Sequence, residues 1–205
     1  MIPIKICGIT NPDDARLAAE LGAFAIGMVF WPRSPRHITV DAAREIVDAL
    51  SASVQKVGVF VDQPAEEVHE VADQVGLTVV QLHGHEDARE YEREPGPRVM
   101  KAVALDTAED ADRAMALPGT VLALLDAHDP VKRGGTGRTI DWSLAARVSA
   151  ARRVVLSGGL HAGNVREAIG VVHPFAIDVS SGVEQAPGRK DPEKLRALFA
   201  AVRAS

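Results

Sequence analysis

The chain has 205 residues and a formal net charge of −5 at pH 7, with 46% hydrophobic and 25% charged residues. These values are close to those of ordinary globular proteins, so we expect one compact domain over residues 1–205. The negative charge argues against a nucleic-acid partner, because nucleic-acid-binding proteins concentrate lysine and arginine. Any phosphate group would therefore have to be bound locally.

Cys7 is the only cysteine, so no internal disulfide can form and the chain fits a reducing cytoplasm. The first residues lack the basic start and apolar core of a signal peptide. No apolar run approaches the ~18 residues of a membrane span. We therefore expect a soluble cytoplasmic protein with no membrane partner.

Eight short apolar runs, each followed by a helix-like stretch, repeat along the chain. Parallel strands that are buried on both faces have this near-continuous apolar character, whereas one-sided antiparallel strands alternate. This repeated pattern of strand and helix predicts a single-domain (β/α)8 barrel, the TIM barrel of the α/β class. The predicted strands are Ile2–Cys7, Phe24–Phe30, Lys56–Val61, Thr78–His83, Arg98–Leu105, Thr120–Asp126, Arg153–Ser157 and Phe175–Ser180.

A helix-opening signal, in most cases with a carboxylate in the first turn, follows each predicted strand. Gly22 and Gly76 are expected to end the first and third helices. The expected number of helices is therefore eight, one for each strand. The openings lie at Asn11, Thr39, Asp62, Glu86, Thr107, Asp141, Gly163 and Asp191.

Two predicted strands end in residues that can exchange protons. The C-terminal ends of barrel strands gather at one rim, where barrel enzymes hold their chemistry. Cys7 ends the first predicted strand, and Asp126 ends the sixth on the opposite side of the barrel. A thiol and a carboxyl group so placed can serve as the base and acid for one substrate. The alternatives are an inert buried cysteine and an aspartate that caps the following loop.

The last two predicted strands are followed by glycine and serine residues that favour phosphate binding. Many barrels build a phosphate site from the loops after strands seven and eight, where backbone N–H groups approach the phosphate oxygens. Simple turn glycines are the alternative. The candidate phosphate-binding residues are Gly158, Gly159, Ser180, Ser181 and Gly182.

Two loops at the predicted rim, Trp31–Ile38 and Ala127–Ile140, are longer than the others. Arg36 lies on the first and could pair with a substrate carboxylate, or it could simply be solvated. Gly135 lies in a glycine-rich part of the second, where the backbone could approach a ligand unless this loop is merely mobile.

His83, His85 and Glu86 lie close together in the sequence and could suggest a metal site. No second cluster of ligands with zinc-like spacing accompanies them, so we expect no metal. His83 is better interpreted as a polar residue of the rim.

These residues together closely resemble the phosphoribosylanthranilate isomerase family of tryptophan biosynthesis, whose members are ribulose-phosphate-binding barrels. The resemblance runs in order from strand one to the eighth helix. The matching motifs are Lys5-Ile-Cys-Gly-Ile-Thr10, Ser34-Pro-Arg36, Val57-Gly-Val-Phe-Val61, Gln81-Leu-His-Gly84, Leu125-Asp126, Gly135-Thr-Gly137, Gly158-Gly-Leu160, Asn164-Val165 and Asp178-Val-Ser-Ser-Gly-Val-Glu184.

The resemblance implies a cofactor-free Amadori rearrangement of a phosphorylated aminosugar. It implies that Cys7 removes the C2' proton and that Asp126 protonates the ring oxygen. Arg36 would hold the anthranilate carboxylate, and the residues after strands seven and eight would hold the phosphate. Further substrate contacts are expected from His83, Gly135 and Asp178.

The chain departs from the family pattern at two places. Ser157 stands where the family commonly has alanine, and the loop after strand two carries an additional Trp31-Pro32-Arg33. Arg33 could therefore compete with Arg36 for the carboxylate.

Two other functions stay open at this point. One is a non-catalytic barrel that binds a sugar phosphate, since fold alone never excludes it. The other is a neighbouring aminoaldose or ketose isomerisation of histidine or tryptophan synthesis. A monomer is the expected oligomeric state.

Overall fold

The computed structural model describes residues 2–127 and 140–204. Gly135, with most of the second long loop, lies outside the described residues. No helix within the described ranges has both the length and the apolar character needed to cross a membrane.

Eight parallel strands close into a barrel in chain order, which confirms the predicted fold. β8 pairs back with β1, and this pairing sets Lys5 opposite Asp178. The strands are β1 (Ile4–Ile6), β2 (Ala25–Val29), β3 (Gln55–Phe60), β4 (Val79–Leu82), β5 (Arg98–Ala104), β6 (Leu122–Asp126), β7 (Val154–Leu156) and β8 (Ala176–Val179). Each overlaps its predicted run, with ends that differ by at most two residues.

Helices connect most of the strands, and the caps of four of them are predicted opening residues, Asn11, Thr39, Thr107 and Asp141, as is the cap Asp191 of the last helix; the third helix is capped at Pro64 and the sixth at Asn164, one or two residues after the predicted openings. Asn11 accepts a hydrogen bond from Asp14 N at 2.9 Å, and Gly76, at φ 73°, ends the third helix. The α-helices of the described residues are α1 (Pro12–Glu20), α2 (Val40–Asp48), α3 (Ala65–Val75), α4 (Ala108–Ala116), α5 (Trp142–Ala151), α6 (Val165–Val172) and α7 (Pro192–Arg203).

The prediction of an α-helix opening at Glu86 is wrong. The structure has a 3-10 helix there, Ala88–Tyr91, capped by Asp87. Prolines follow at positions 95 and 97. Because proline lacks an N–H and disfavours helical backbone in the residue before it, the segment has no room for several α-helical turns.

A short hairpin after β8 was not predicted. A 3-10 helix (Ser181–Val183) leads into β9 (Glu184–Ala186), which pairs antiparallel with β10 (Arg189–Lys190). The turn passes through Gly188, at φ 79°. This hairpin lies at the same end of the barrel as the C-terminus of β8, so its side chains can reach the rim.

Two apolar layers hold the barrel together, one between strands and helices and one inside the barrel. Side chains alternate between these two environments along each strand. Ile4 and Ile6 belong to the outer layer, so Lys5 and Cys7 point into the barrel. The lower part of the interior is filled by Ala25, Val57, Val79, Met100, Ala102, Leu124, Val155 and Ala176. Polar side chains above this layer therefore face the C-terminal rim.

Candidate active site

Cys7 immediately follows β1 and is buried at the rim, with 8% of its surface exposed. Its N–H donates to Val179 O at 2.9 Å, and its carbonyl accepts from Lys190 Nζ at 2.6 Å. These two bonds fix the backbone of Cys7 against the end of β8. A β-carbon at Gly27 would lie only 2.9 Å from the Cys7 sulfur, so glycine on β2 makes room for the thiol.

Lys5, two residues before Cys7, is a buried cation beside the thiol. Its Nζ donates to Asp178 Oδ1 at 2.9 Å, and a β-carbon at Gly27 would lie 3.0 Å from the same nitrogen. Burial lowers the pKa of Lys5, but the charge of Asp178 and the hydrogen bond to it outweigh this, and the pKa is raised from its ordinary value. Lys5 is therefore positively charged at neutral pH.

Burial also has the largest effect on the pKa of the Cys7 thiol. Removal from water raises the pKa of Cys7, and although Lys5 opposes this effect, the pKa stays above its ordinary value. An unperturbed cysteine has a pKa of about 8.5. The resting thiol of Cys7 is therefore protonated at neutral pH, and Lys5 is the group that limits how strongly burial suppresses the thiolate.

Asp126 ends β6, on the side of the barrel away from β1 and β2. Its Oδ1 accepts from Ala127 N at 2.9 Å, and His83 Nε2 lies 3.2 Å from its Oδ2. Gln81 Nε2 lies 3.1 Å from His83 Nδ1. With Gln81 as the donor to Nδ1, the Nε2 atom of the ring is the one that can donate to Asp126. The chain from Gln81 through His83 thus orients the carboxyl group.

The loops after β7 and β8 form one polar cleft. Gly158 and Gly159 have φ values of 86° and 61°, which only glycine adopts without strain. A β-carbon at Gly182 would lie 2.0 Å from Leu160 O, so the two loops touch through a position that requires glycine. The cleft is lined by Asp126, Ser157, Gly158, Gly159, Leu160, Asp178, Val179, Ser180, Ser181 and Gly182.

Asn164, just before α6, braces the first of these loops. Its Nδ2 donates to Gly159 O at 3.0 Å, and its Oδ1 accepts from His161 N at 2.9 Å. The side chain therefore bonds to two backbone groups in the middle of the connection between β7 and α6. The backbone of Gly159, which lines the cleft, is consequently held in place by the protein itself.

Arg36 is held by a carboxylate of the protein. Its Nε and Nη2 donate to the two carboxylate oxygens of Glu184 at 2.8 Å and 2.7 Å. These hydrogen bonds raise the pKa of Arg36. Burial would raise the pKa of Glu184, but Arg36 and Lys190 outweigh it and the pKa is lowered. Gly8, at φ 73°, lies under Arg36, where a β-carbon would approach its Cδ to 2.5 Å.

Most predicted site residues therefore meet at the C-terminal rim. Asp126 and Asp178 line the same cleft as the glycine and serine residues of the two loops, and Lys5 connects Asp178 to Cys7. Arg33 is exposed, whereas Arg36 is half-buried over the end of β1.

The histidine and carboxylate groups that could suggest a metal site have other partners. His83 contacts Asp126. Glu86 accepts from Lys101 Nζ at 2.6 Å and from the N–H groups of Asp62 and Gly84 at 2.7 Å and 2.8 Å. Within residues 2–127 and 140–204, no group of three His, Cys, Asp or Glu side chains could hold a metal ion.

Four polar residues of the site received no role from the sequence, although three of them lie in motifs that match the family: Lys5, Gln81, Glu184 and Lys190. The first two share a strand face with Cys7 and His83, two residues away, so the alternation of strand side chains could have revealed them. Glu184 and Lys190 lie on the hairpin, which was not predicted. No spacing in the sequence indicates that they reach the rim.

A (β/α)8 barrel with a thiol and a carboxyl group at its rim, beside a glycine-lined anion cleft, has the features of an isomerase for a phosphorylated sugar. The comparison with known proteins is more specific. Residues 4–201 match the family model for N-(5'-phosphoribosyl)anthranilate isomerase. The chain belongs to this family.

Individual relatives agree over the whole chain. The N-(5'-phosphoribosyl)anthranilate isomerase of Citrifermentans bemidjiense is 47% identical over 200 residues, which cover 98% of this chain and 96% of the relative. A crystal structure of the Thermotoga maritima isomerase is 42% identical with a TM-score of 0.92, and both chains are covered completely. A structure of phosphoribosyl anthranilate isomerase in complex with reduced 1-(o-carboxyphenylamino)-1-deoxyribulose 5-phosphate has 41% identity, a TM-score of 0.89 and complete coverage of both chains.

Proposed function

We propose that this protein converts N-(5'-phosphoribosyl)anthranilate into 1-(2-carboxyphenylamino)-1-deoxyribulose 5-phosphate, a step of L-tryptophan biosynthesis, by acid and base catalysis. The observation that carries the proposal is the arrangement of the rim. Asp126 lines the cleft formed by the two glycine-rich loops, and Cys7 is tied to the end of β8 on the other side of that cleft. Family membership supports the same reaction.

The reaction needs one acid and one base. Asp126 donates a proton to the furanose ring oxygen as the bond between that oxygen and C1' breaks, which leaves a protonated imine between C1' and the anthranilate nitrogen. The Cys7 thiolate then removes the C2' proton, and the electron pair of that C–H bond moves toward the imine nitrogen. The resulting enolamine tautomerises to the ketone. The substrate nitrogen is the electron acceptor, so the chemistry requires no cofactor.

Lys5 is the group that makes the thiolate accessible. The thiol is protonated at rest because burial raises the pKa of Cys7, and only the small thiolate fraction acts as a base. The adjacent ammonium of Lys5 favours the charged form and so increases that fraction. Asp178, paired with Lys5 at 2.9 Å, keeps this ammonium in place.

The remaining predicted residues are assigned to binding. The phosphate is proposed to lie against the backbone of the two glycine-rich loops, and Arg36 is proposed to hold the anthranilate carboxylate. Cys7 packs with Val29, Val59 and Trp31, which offer an apolar surface for the aromatic ring. We assign His83 to orienting Asp126. The proposed contacts are Gly158, Gly159, Ser180, Ser181 and Gly182 to phosphate, and Arg36, Asp178 and Gly135 to the rest of the substrate.

The decisive assay generates phosphoribosylanthranilate in situ and follows the loss of its anthranilate fluorescence. Cys7→Ala and Asp126→Asn should each lower kcat by at least about 100-fold, the low end of what a positioned acid or base supplies. Asp112→Asn is the matched control, because Asp112 lies on the exposed surface and pairs there with Arg147. It should retain the wild-type rate.

The outcomes separate the functions. Near-normal turnover of either site variant would remove that residue from the mechanism. Wild-type protein that binds a sugar phosphate without turning over phosphoribosylanthranilate would instead be a non-catalytic barrel, and the proposal would fall.

We also assign the protein to the cytoplasm and expect a monomer. The single cysteine fits a reducing compartment. Among the described residues, Phe24 and Val171 are the exposed large hydrophobic side chains, and single exposed residues of this kind do not require a partner. One related Thermotoga maritima structure is described as derived from a dimeric enzyme. Light scattering of the purified protein would measure its molecular mass in solution. A dimeric mass would refute the monomer.

A further inference from the structure

Lys190 and Glu184, on the hairpin after β8, form a buried ion pair whose hydrogen bonds join three parts of the site. Lys190 Nζ donates to Glu184 Oε1 at 2.9 Å, to Cys7 O at 2.6 Å and to Ser180 O at 3.2 Å. An ammonium has three protons, so these acceptors satisfy it completely. Glu184 in turn binds Arg36. One pair therefore connects the proposed base, the phosphate loop and the carboxylate-binding arginine.

The way in which Glu184 holds Arg36 leaves part of the guanidinium available. A guanidinium has five N–H donors and can bind a carboxylate along either of two edges. Glu184 occupies the edge formed by Nε and Nη2. The edge formed by Nη1 and Nη2 contacts no acceptor among residues 2–127 and 140–204. A substrate carboxylate can therefore bind Arg36 in a bidentate manner without displacing Glu184.

The charges of this cluster match a single carboxylate. Arg36, Lys190 and Glu184 have side chains that are at most 12% exposed. With Lys190 protonated they carry two positive charges and one negative charge; burial lowers the pKa of Lys190, and Glu184 opposes this effect. Buried charges are costly unless they are paired. Glu184 neutralises one cation, so the cluster retains one positive charge, which a bound anthranilate carboxylate would balance.

We infer that Glu184 and Lys190 are positioning residues for substrate recognition. Glu184 fixes the orientation of Arg36 toward the substrate carboxylate, and Lys190 anchors Glu184 to the backbone of Cys7 and Ser180. The inference rests on the proposed function, because it assigns these residues to the recognition of one group on that substrate.

A substrate without the carboxylate tests this directly. Kinetics are compared for N-(5'-phosphoribosyl)anthranilate and N-(5'-phosphoribosyl)aniline, with substrate and product separated by chromatography. Glu184→Gln should raise KM for the anthranilate substrate by about tenfold, the low end of what a hydrogen bond to a charged group contributes. Its KM for the aniline substrate should stay within about twofold of wild type, because that substrate makes no contact with Arg36.

Four further variants complete the design. Arg36→Met should raise KM for the anthranilate substrate, and adding Glu184→Gln to it should raise KM no further, since Glu184 acts through Arg36. Glu193→Gln is the control, because Glu193 pairs with Arg196 on the exposed face of α7. Glu184→Asp keeps the negative charge and replaces Glu184→Gln as the test variant if Glu184→Gln fails to fold. It should raise KM for the anthranilate substrate alone.

The results separate this inference from the proposed function. Equal increases of KM for both substrates would show a general structural role and overturn the inference, as would additive effects of Arg36→Met and Glu184→Gln. Wild-type protein that converts neither substrate would overturn the proposed function itself.

Discussion

Replacement of Lys5 by methionine should make Cys7 markedly harder to ionise. Lys5 is 3% exposed and donates to Asp178 at 2.9 Å, and it is the main influence that lowers the pKa of Cys7 against the effect of burial. Methionine has a similar length and fills the same space without the charge. The variant therefore removes the cation and leaves the negative charge of Asp178, which also disfavours the thiolate.

The size of the effect follows from the geometry around Gly27. A β-carbon on that residue would lie 2.9 Å from the Cys7 sulfur and 3.0 Å from Lys5 Nζ. The two atoms are therefore within about 6 Å, where unit charges at an effective dielectric constant of about 20 interact by roughly 3 kcal/mol. Since 1.36 kcal/mol corresponds to one pKa unit, Lys5→Met should raise the pKa of Cys7 by at least about one unit.

Alkylation by iodoacetamide measures this pKa, because the thiolate is the reacting form. Cys7 is the only cysteine, so the modified fraction read by mass spectrometry belongs to one residue. At pH values below the pKa of Cys7, the thiol of Lys5→Met should react at least about tenfold more slowly than the wild-type thiol at the same pH. The pH at which kcat/KM rises should also be higher in Lys5→Met than in the wild type.

The control for this experiment is Lys56→Met. Lys56 is also buried, at 6% exposure, but its Nζ bonds to Ser51 O at 2.9 Å, before β3 and away from the rim. It should leave the alkylation profile of Cys7 unchanged. An identical profile for wild type and Lys5→Met would refute the electrostatic role of Lys5.

Three other predictions concern packing, phosphate binding and acid stability. Leu124→Ala should lower the free energy of unfolding in urea by about 2–5 kcal/mol, because Leu124 is fully buried in the barrel interior; a loss below 1 kcal/mol would contradict this packing. Gly182→Ala should weaken competitive inhibition by inorganic phosphate, because its β-carbon would lie 2.0 Å from Leu160 O and push the two loops apart; an unchanged inhibition constant would exclude these loops as the phosphate site. The pKa of Glu184 is lowered in the folded protein, so its contribution to stability is complete above its unfolded pKa of about 4.3 and is lost as the pH falls through the lower folded value. The difference in unfolding free energy between wild type and Glu184→Gln should therefore shrink below about pH 4.3, whereas a difference that stays constant from pH 7 to pH 3 would contradict the lowered pKa.

The barrel was predictable because each strand has an apolar sequence that can be recognised without knowledge of its neighbours. Val154–Leu156, for example, lies inside the predicted run Arg153–Ser157. The limits of each strand depend on pairing with adjacent strands, which the sequence does not display, so they differ by a residue or two. The missing helix after β4 has a local cause in Pro95 and Pro97. The prediction of an α-helix relied on the opening signal at Glu86, whereas the structure follows the stop signal given by the two prolines.

The residues that end strands were predictable for a topological reason. A parallel barrel brings every C-terminal strand end to one rim, so Cys7 and Asp126 needed only their position in the chain. Lys5 was within reach of the same argument, because a strand that points Cys7 into the barrel must point Lys5 there as well. A lysine between two isoleucines was thus a signal of a buried charge at the site.

Glu184 and Lys190 could not be found in this way, because their role depends on contacts between distant parts of the chain. Arg36 is 148 residues from Glu184, and Cys7 is 183 residues from Lys190. Only the closing of β8 on β1 brings these pairs together. Glu184 lies in a motif that matches the family, but contacts of this kind have no periodicity, so the motif does not show which groups Glu184 binds.

The two buried ion pairs also explain how the rim can hold a protonated thiol next to a group that binds anions. Lys5 with Asp178 and Lys190 with Glu184 lie on either side of Cys7, and each pair is close to neutral by itself. Burial raises the pKa of Cys7 and holds the thiol protonated at rest, while Lys5, which opposes this effect, is itself paired with Asp178. Pairing each lysine leaves the charge of Arg36 for the substrate. Burying these charges lowers the stability of the fold. In return, the site can bind a single negative charge at a defined position.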